Sequence, residues 1–447
     1  IGILISTFKK IAVEFQFDNT TKNKGNKDLK RRDGYLIVTF SWIFMCLFGM
    51  LPYVLSGQIP SLTDAFFETV SGYTTTGATI LNNIESLDHG ILFWRSLTQW
   101  IGGMGIIVLA VAILPFLGIG GMQLFVAEAP GISLDKLHPR IKETAKRLWI
   151  IYISFTVLLF FILYAEGMSL FDAVNHAMTT FATGGFSTKN ASIGYFDSPI
   201  IHYTIIVFMM ISATNFTLIY FGLKLNFKKV FYNEEFRIYF LFILIMSLLV
   251  FISLLQYDIS NVEETFRIAL FNVASIITTS GFSTANYTGW SEFLTILFFI
   301  LMFFGASAGS TSGSVKIVRH VILLKNTYIE LKKQIHQSGV FTLRFNNSKI
   351  PEKVVFNILA FMMLYVVIFS IGSIIMTLLG VDFMTAIGSV AASLGNVGPG
   401  IGSVGPDATY SSIPIAGKWF LSLLMFIGRL ELFTFLLILT PAFWKHN

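Results

Sequence analysis

Four segments of this chain share one pattern, in which a short apolar stretch leads into a loop of glycine and hydroxyl residues and then into a long apolar stretch. The loops read Thr74-Thr75-Thr76-Gly77-Ala78, Ala182-Thr183-Gly184-Gly185-Phe186, Thr278-Thr279-Ser280-Gly281-Phe282 and Gly395-Asn396-Val397-Gly398-Pro399. The shared glycines, Gly77, Gly185, Gly281 and Gly398, follow one another in steps of 108, 96 and 117 residues. A chain that repeats such a unit four times can close a ring of backbone loops around its own axis.

The composition indicates a membrane protein. Of the 447 residues, 54% are hydrophobic and 13% are charged, whereas about a quarter of the residues of a soluble domain are charged. Apolar runs of about 20 residues, the length that crosses a bilayer as a helix, recur along the chain without polar linkers between domains. We therefore expect an all-α integral membrane protein.

Eight apolar stretches are long enough to span a membrane. They are Tyr35–Leu55, Ile91–Leu117, Ala145–Tyr164, Ile200–Leu223, Phe236–Leu255, Phe293–Leu324 (interrupted), Val354–Leu379 and Trp419–Ala442. Between the members of each pair lies a shorter stretch: Ser61–Tyr73, Ser169–Phe181, Val262–Ile277 and Val381–Leu394. The short stretches predict half-helices that enter and leave on one side, since such backbone is tolerated in a membrane where it faces protein or water. Four buried interfacial helices are the alternative, which the recurrence of the loop disfavours.

The predicted organisation is four repeats joined by polar segments. Residues 1–34 contain the end of a further helix and a basic arm, and residues 35–117, 145–223, 236–324 and 354–447 form the four pore repeats. Loops at 118–144 and 224–235 and a hairpin at 325–353 connect them.

The basic residues indicate the orientation. Of the 31 Lys and Arg residues, 26 fall in five segments, namely Lys9–Arg32, Gly118–Arg147, Lys224–Arg237, Lys316–Lys353 and the tail. Because positive charge is retained on the cytoplasmic side, we expect both termini and the connecting segments to be cytoplasmic and the half-helices to enter from outside. The net charge of +6 then follows from topology and does not indicate nucleic-acid binding. Acidic residues in the outer segments, among them Glu85, Asp172 and Asp407, predict a mouth that attracts cations.

The loops point to a monovalent cation. A helix C-terminus carries partial negative charge, glycine permits backbone that turns carbonyl oxygens inward, and rings of such oxygens replace the water shell of K⁺. Divalent cations favour charged oxygen ligands, which the loops lack. The predicted selectivity filter consists of Thr75, Thr76, Gly77, Thr183, Gly184, Gly185, Thr279, Ser280, Gly281, Asn396, Val397 and Gly398. Since Asn396 and Val397 stand where the first loop has threonines, the ring is only pseudo-fourfold.

Other chemistry finds little support in the sequence. The single cysteine, Cys46, lies in an apolar run, and no Cys/His spacing fits zinc or iron. Intramembrane ionisable residues are few and scattered, which disfavours an enzyme. A carrier that couples K⁺ to Na⁺ or H⁺ stays open as an alternative, because the filter residues alone do not decide it.

Several runs resemble the TrkH family of bacterial potassium-uptake proteins, within the Trk/Ktr/HKT superfamily. They are Arg31-Arg32-Asp33-Gly34, Phe66–Leu81, His89–Leu117, Gly121–Phe125, Ala127–Pro130, Ala182–Asp197, Gly395–Gly400 and Gly428–Phe433. The resemblance covers essentially the whole chain. The segment Ile1–Phe8 with the basic arm behind it fits the end of an extra helix that this family has before its first repeat.

The resemblance implies a K⁺ pathway through the four loops of a multi-pass protein in the inner membrane of a bacterium. It also implies a homodimer and a cytoplasmic ring of TrkA-like regulatory subunits, which would carry any nucleotide, so that this chain itself holds no cofactor. Departures from the family pattern are Ser280 for a threonine, the serines Ser307, Ser312 and Ser314 in a segment usually richer in glycine, and Gln337 after Ile335-His336.

The interrupted sixth span is the candidate gate. Residues 305–316 place three glycines and several hydroxyls in mid-span, although each glycine costs about 1 kcal/mol against alanine in a helix. A close-packed kink is one interpretation, and an unwound loop that blocks the pore is the one that the family's intramembrane gating loop favours. The predicted gate comprises Gly305, Gly309, Gly313, Lys316 and Arg429.

Charged residues inside the spans are by default functional. The family resemblance implies that Arg429 lines the pore below the filter as an electrostatic barrier, with a structural bond to a neighbouring carbonyl as the alternative. Glu431, two residues on, is expected to have a different partner. Lys316 is expected to anchor the loop to water or to a carboxylate, and Glu68 is expected to pair with Arg95.

Overall fold

The computed structural model describes residues 31–108, 138–256 and 261–444. The predicted arm before residue 31, most of the predicted loop 118–144 and the last three residues lie outside this part of the chain. The described residues are mainly helical and follow the repeat order expected from the sequence. In each repeat a first helix is followed by a short helix, a loop and a second helix.

Repeat 1 contains a first helix Arg31–Gly49 that continues as Leu51–Leu55, the short helix Leu62–Tyr73 and the second helix His89–Val108. Repeat 2 contains the first helix His138–Ala165, the short helix Leu170–Phe181 and a second helix in two pieces, Pro199–Ser212 and Phe216–Leu223. The short helix Phe227–Phe231 connects it to repeat 3.

Repeat 3 contains the first helix Glu234–Leu254, the short helix Val262–Ile277, and a second helix that stops at Leu301 after starting at Glu292 and resumes as Ile317–Ile335. The interruption includes two parallel two-residue strands, Phe304–Gly305 and Val315–Lys316. An antiparallel pair, Arg344–Phe345 and Ser348–Lys349, forms the tip of the connecting segment. Repeat 4 contains the first helix Glu352–Leu378, the short helix Phe383–Gly395, the pieces Ile415–Arg429 and Phe433–Leu439 of the second helix, and Pro441–Trp444. Single turns of 3-10 helix lie at Ile84–Ser86, Ser192–Tyr195, Tyr287–Gly289, Gly402–Val404 and Tyr410–Ser412.

Each short helix begins at a polar side chain that caps its N-terminus. The capping residues accept a hydrogen bond from the backbone amide three positions on, as Ser, Asn and Asp do at helix N-termini; they are Ser61, Ser169, Asn261 and Asp382. The four helices contain 12, 12, 16 and 13 residues. At about 1.5 Å per residue none of them spans a hydrocarbon core of about 30 Å.

Among the described residues, four helices are long and apolar enough to cross a membrane, or six if each of two bent helix pairs counts as one span. The four are Arg32–Leu55, Ala145–Ala165, Glu234–Leu254 and Glu352–Leu378. Between 22% and 33% of their most apolar windows is buried inside the protein. Their exposed side chains are large and apolar, such as Phe161, Ile252 and Met363. These surfaces fit lipid, as expected for helices at the periphery of a membrane protein.

The predictions of continuous spans at 200–223 and 419–442 were wrong. The second helix of repeat 2 bends by 109° after Ser212, and that of repeat 4 bends by 119° after Arg429. In repeat 2 the side chain of Asn215 caps the new helix by accepting from the amide of Thr217 at 2.8 Å. In repeat 4 the break contains Glu431 in the left-handed region, with φ of 58°. Apolar composition alone does not reveal breaks whose freed carbonyls find partners elsewhere in the protein.

The repeats pack around a common centre. The second helix of repeat 1 contacts the short helix of repeat 2, that of repeat 2 contacts the short helix of repeat 3, and that of repeat 4 contacts the short helix of repeat 1. Buried apolar side chains form one cluster that runs through all four repeats. This arrangement brings the C-terminal ends of the short helices, and hence the four loops, together.

Candidate functional site

The four glycine-containing loops close into a ring. A Cβ atom added to the glycine of one loop would overlap with a carbonyl oxygen of the next loop, from the residue just before that loop's glycine. In order, Gly77, Gly185, Gly281 and Gly398 face the carbonyls of Gly184, Ser280, Val397 and Thr76. Because the fourth contact returns to repeat 1, one chain completes the ring.

All four loops have the same unusual backbone. The glycine and the residue two positions before it both have positive φ, and the pairs are Thr75 (52°) with Gly77 (83°), Thr183 (53°) with Gly185 (79°), Thr279 (56°) with Gly281 (73°), and Asn396 (51°) with Gly398 (100°). Left-handed backbone is rare for a β-branched residue such as threonine and costs about 1–3 kcal/mol at each such position. Strain repeated at three threonines indicates a backbone shape that the ring requires. At the fourth position asparagine adopts this conformation more readily.

Side chains from outside the loops hold the ring in place. The side-chain amide of Gln99 donates to the carbonyl oxygen of Gly184 at 2.5 Å and accepts from the backbone amide of Phe186 at 3.0 Å. It therefore bonds the residues on either side of Gly185. Asn396 donates to Thr76 Oγ1 at 3.0 Å and to the carbonyl of Met425 at 3.0 Å. The bond from Asn396 to Thr76 therefore links the loops of repeats 4 and 1 a second time, in addition to the contact between Gly398 and the carbonyl of Thr76.

A cavity opens on one side of the ring, which we call the mouth side. All four loop glycines line it, together with Lys189, Tyr410 and other residues. Among the described residues that line it there is no Asp or Glu, but Asp407 stands between the lining residues Pro406 and Ala408, and Glu85 accepts from the amide of the lining residue Asn190 at 3.3 Å. The cation-attracting acidic mouth stays a prediction. Asp172, one of the expected acids, accepts from Thr188 Oγ1 at 2.5 Å and lies 4.0 Å from Lys189 Nζ.

The interrupted second helix of repeat 3 lies on the opposite side, the underside of the ring. The amide of Gly313 donates to Thr279 Oγ1 at 2.6 Å, and the amide of Ser314 donates to the carbonyl of Gly395 at 2.8 Å. We call residues 302–316 the underside loop. It is therefore bonded directly to the loops of repeats 3 and 4.

The predicted gate glycines occupy different parts of the underside loop. A Cβ at Gly313 would overlap with the carbonyl of Gly395, and one at Gly305 would overlap with the carbonyl of Gly313. Gly309, with φ of 70°, is exposed and lies next to the Asn215 side chain of repeat 2. Two of the three glycines thus allow close backbone packing, and the third supplies a left-handed backbone position.

One polar layer below the ring joins the second helices of all four repeats. Arg429 donates to the carbonyl of Thr311 at 2.8 Å and to that of Gly102 at 3.3 Å. Thr311 Oγ1 in turn donates to the carbonyl of Ser212 at 3.1 Å, where the helix of repeat 2 breaks. Arg429 is 2% exposed. A buried guanidinium therefore lies beneath the ring and is bound to backbone carbonyls, one of them in the underside loop.

Two further cations lie at the end of the underside loop and in the helix that follows it. Lys316 Nζ donates to the carbonyls of Ser312 and Gly313, so in the described residues it anchors to the loop itself and not to the expected carboxylate. Arg319 pairs with Glu431 and lies 3.9 Å from the centre of the Phe361 ring. The prediction that Arg429 and Glu431 have different partners is confirmed.

The predicted pair between Glu68 and Arg95 is also confirmed. The closest oxygen–nitrogen distance is 2.8 Å, and the two side chains are 0% and 1% exposed. Arg95 also donates to the carbonyl of Ser187 at 3.1 Å, and its guanidinium lies 4.0 Å from the centre of the Phe186 ring. This pair connects the back of the first loop with the back of the second.

All twelve predicted filter residues lie in the ring, and the predicted gate residues lie in the underside loop or in contact with it. The sequence did not reveal Gln99, Thr311 or Arg319. A Gln and an Arg in otherwise apolar second helices are a usable signal for Gln99 and Arg319. Thr311 gives no such signal, because it is one of several hydroxyls in its segment. In the described part of the chain no group of Asp, Glu, His and Cys is arranged to hold a metal ion.

The fold and the site define a class: all-α integral membrane proteins in which four helix–short helix–helix repeats surround a ring of backbone loops. The family model for TrkH, described as a cation transport protein, matches residues 3–445. The chain belongs to the TrkH family, whose members are transport proteins and not enzymes.

Individual relatives agree with this assignment. The chain is 45% identical over 433 residues to the Trk system potassium uptake protein TrkH of Escherichia coli (strain K12), covering 95% of this chain and 88% of that protein. It is 39% identical to the Trk system potassium uptake protein TrkI of Halomonas elongata, covering 94% and 85%. The crystal structure of the potassium transporter TrkH from Vibrio parahaemolyticus superimposes with a TM-score of 0.86 at 40% identity, covering 95% and 88% of the two chains.

Proposed function

We propose that this protein takes up K⁺ and that the ion passes through the ring of four loops. The observation that carries the proposal is the closed order of contacts, in which each loop glycine faces a carbonyl oxygen of the next loop. A ring of backbone oxygens can replace the water that surrounds a monovalent cation. The names of the relatives, which are potassium uptake proteins and a potassium transporter, supply the choice of K⁺.

The ligands that we assign are the twelve ring residues predicted from the sequence. Neutral oxygens favour a monovalent ion over Ca²⁺ or Mg²⁺, which prefer carboxylates. Among the described residues, the nearest carboxylate behind the first loop, Glu68, is occupied by Arg95 and by Thr79 Oγ1 at 2.9 Å. This arrangement leaves the backbone oxygens as the ligands for a cation in the ring.

We assign the gate to the underside loop and Arg429. The loop is bonded to two of the four ring loops, and its Thr311 also reaches the helix break of repeat 2. The buried guanidinium of Arg429 adds positive charge below the ring, which opposes the passage of a cation. On this proposal the pathway opens when the underside loop moves and Arg429 releases the carbonyl of Thr311.

The surroundings of the pathway follow from charge and family. We infer a bacterial inner membrane, with the mouth side outward and both termini cytoplasmic, because 26 of the 31 basic residues lie in Lys9–Arg32, Gly118–Arg147, Lys224–Arg237, Lys316–Lys353 and the tail. We further propose a homodimer regulated by a cytoplasmic TrkA-like ring that binds the nucleotide. The exposed apolar side chains of Tyr328, Leu331 and Ile335 on the connecting segment support a protein contact there.

Reversal potentials of the purified chain in proteoliposomes test the function. Under K⁺ gradients the reversal potential should follow the K⁺ equilibrium potential, and an equal Na⁺ gradient should shift it far less. The measurement is repeated with a pH gradient at fixed K⁺. A shift caused by Na⁺ or protons would contradict a K⁺-selective pathway and support the Na⁺- or H⁺-coupled alternative.

A further inference from the structure

One position of each short helix is polar and buried in all four repeats. It lies nine residues before the loop glycine, and its occupants are Glu68, His176, Asn272 and Ser389. These side chains are between 0% and 1% exposed. The residue type differs in every repeat although the place in the fold is the same, so the position offers a comparison within one molecule.

In three repeats the side chain at this position bonds a hydroxyl on the segment that leaves the ring. In repeat 1, Thr79 Oγ1 donates to Glu68 at 2.9 Å. In repeat 2, His176 Nε2 and Ser187 Oγ lie 2.9 Å apart. The bond of repeat 3 joins Asn272 Nδ2 to Thr284 Oγ1 at 3.1 Å. We call these three bonds the straps, because each closes a loop of the ring from behind.

In the described part of repeat 4 the side chain at this position makes no corresponding bond. Ser389 Oγ donates to the carbonyl of Ala386 in its own helix at 3.1 Å. The exit of this loop is held instead by hydroxyls of two tyrosines, since Tyr287 donates to the carbonyl of Gly400 at 3.1 Å and Tyr410 to that of Gly398 at 2.8 Å. The fourth loop is thus fixed to its surroundings by different groups.

The straps act on the part of the ring that carries the strain. Each loop passes through two left-handed residues just before its exit, and such backbone persists only where neighbouring groups fix it. Arg95 strengthens the first two straps together, since it pairs with Glu68 and donates to the carbonyl of Ser187. Thr79 and Ser187 also line the mouth cavity, whereas Asn272 and Thr284 are not among its lining residues. The strap of repeat 3 can therefore affect an ion through the position of its loop without lining the cavity.

We propose that the straps are positioning bonds and that they set the discrimination between K⁺ and Na⁺. The fourth loop is not positioned by a strap. This inference rests on the proposed function. A ring that prefers the larger ion must keep its oxygens from closing around the smaller one. Loss of a strap lets one loop relax, so Na⁺ gains more than K⁺ does.

The test compares two strap variants with a matched control in the full chain. Ser187→Ala and Thr284→Val each remove the hydroxyl partner of one strap and leave the buried ion pair intact. The control, Ser389→Ala, removes a hydroxyl at the same buried position where no strap exists. Permeability ratios for K⁺ over Na⁺ come from bi-ionic reversal potentials in proteoliposomes.

We expect the ratio to fall about fivefold in each strap variant, the effect of losing one hydrogen bond, and to keep its wild-type value in Ser389→Ala. An unchanged ratio in both strap variants, or an equal fall in the control, would overturn the inference. If the wild-type chain itself carries no K⁺-selective current, the proposed function fails, and the inference fails with it.

A strap variant without measurable flux is assessed by thermal unfolding in detergent. K⁺ should raise the melting temperature of the wild type and of Ser389→Ala more than Na⁺ does. Retention of the full difference between the two ions in the strap variants would contradict a positioning role. A reduced difference supports it, because a purely structural defect lowers the melting temperature equally in both salts.

Discussion

The residue type that a ring position accepts is restricted by contact with a neighbouring loop as well as by the backbone angles at that position. Gly281 and Gly57 have almost the same φ, 73° and 72°. Gly281 faces the carbonyl of Val397, whereas nothing lies within 4 Å of a Cβ placed on Gly57. Comparison of alanine substitutions at these two glycines therefore distinguishes the cost of left-handed backbone from the effect of obstructing the ring.

Gly281→Ala is predicted to reduce K⁺ flux by about tenfold or more, because the methyl group displaces the oxygen of the next loop. Gly57→Ala should leave flux unchanged and lower stability by about 1 kcal/mol, the cost of left-handed backbone for alanine. Flux of ⁸⁶Rb⁺ or K⁺ into proteoliposomes and thermal unfolding measure the two effects. Equal loss of flux in both variants would show that backbone strain, and not the ring contact, is responsible.

At this scale the sequence was informative where a residue type has few other uses. Glycine at matched places in four repeats revealed the ring, and a Glu and an Arg within apolar stretches revealed the buried pair. The contacts of Gln99 and Thr311 were not predictable, because their partners are backbone carbonyls of distant repeats. Because every residue has a backbone carbonyl, the sequence does not indicate which carbonyl is the partner.

Among the elements, the second helices are the ones that depart from regular geometry. Those of repeats 2, 3 and 4 are interrupted, and the freed carbonyl groups at Ser212 and Ala213 accept bonds from Thr311 Oγ1 and the amide of Ser307. An unpaired carbonyl inside a membrane protein costs several kcal/mol, so each interruption depends on the others for its partners. Sequence composition predicted the interruption in repeat 3 alone, because only there do glycines and serines accumulate.

Lys316→Met is predicted to increase K⁺ flux severalfold, because Lys316 holds two carbonyls of the underside loop and methionine fills its space without those bonds. The measurement is the initial rate of K⁺ uptake into proteoliposomes, with protein assembly checked by gel filtration. Lys333→Met is the control, since Lys333 lies on the surface and its ion pair with Glu330 is an exposed contact. Unchanged uptake in Lys316→Met would contradict the assignment of this loop as the gate.

The pair between Arg319 and Glu431 yields a prediction about stability. Arg319→Met leaves the partly buried Glu431 without its ion-pair partner, and a hydrogen bond to a charged group contributes about 1.5–3 kcal/mol. We expect the melting temperature to fall by several degrees in Arg319→Met and to recover in part in the double variant Arg319→Met/Glu431→Gln. Additive losses in the double variant would mean that the two side chains stabilise the protein independently.

In the whole molecule, the sequence predicted the four repeats, the membrane class and the bounds of the short helices closely. The short helix of repeat 3 was predicted as Val262–Ile277 and is observed with those bounds. Such helices have clear signals, namely a capping residue at the start and a glycine-containing loop at the end. The predicted spans that proved to be bent are uniformly apolar, and a bend that depends on contacts with other repeats leaves no mark in the local pattern.

The complete ring predicts that K⁺ stabilises the folded chain. Binding to the folded state alone adds about 2.7 kcal/mol when the K⁺ concentration is 100 times the dissociation constant. We expect the melting temperature in detergent to rise with K⁺ and to rise less with Na⁺ or with N-methylglucamine at equal ionic strength. An identical rise with all three cations would indicate a general salt effect and contradict a selective site.

The closure of the ring within a single chain has a consequence for inheritance. In an assembly of four identical subunits, one codon change alters all four sides of the pathway at once. Here the corresponding change affects one quarter, so Asn396 and Val397 can coexist with threonines in the first loop. The sequence of each of the four loops can therefore change independently of the other three, and ion preference can be adjusted in small steps during evolution.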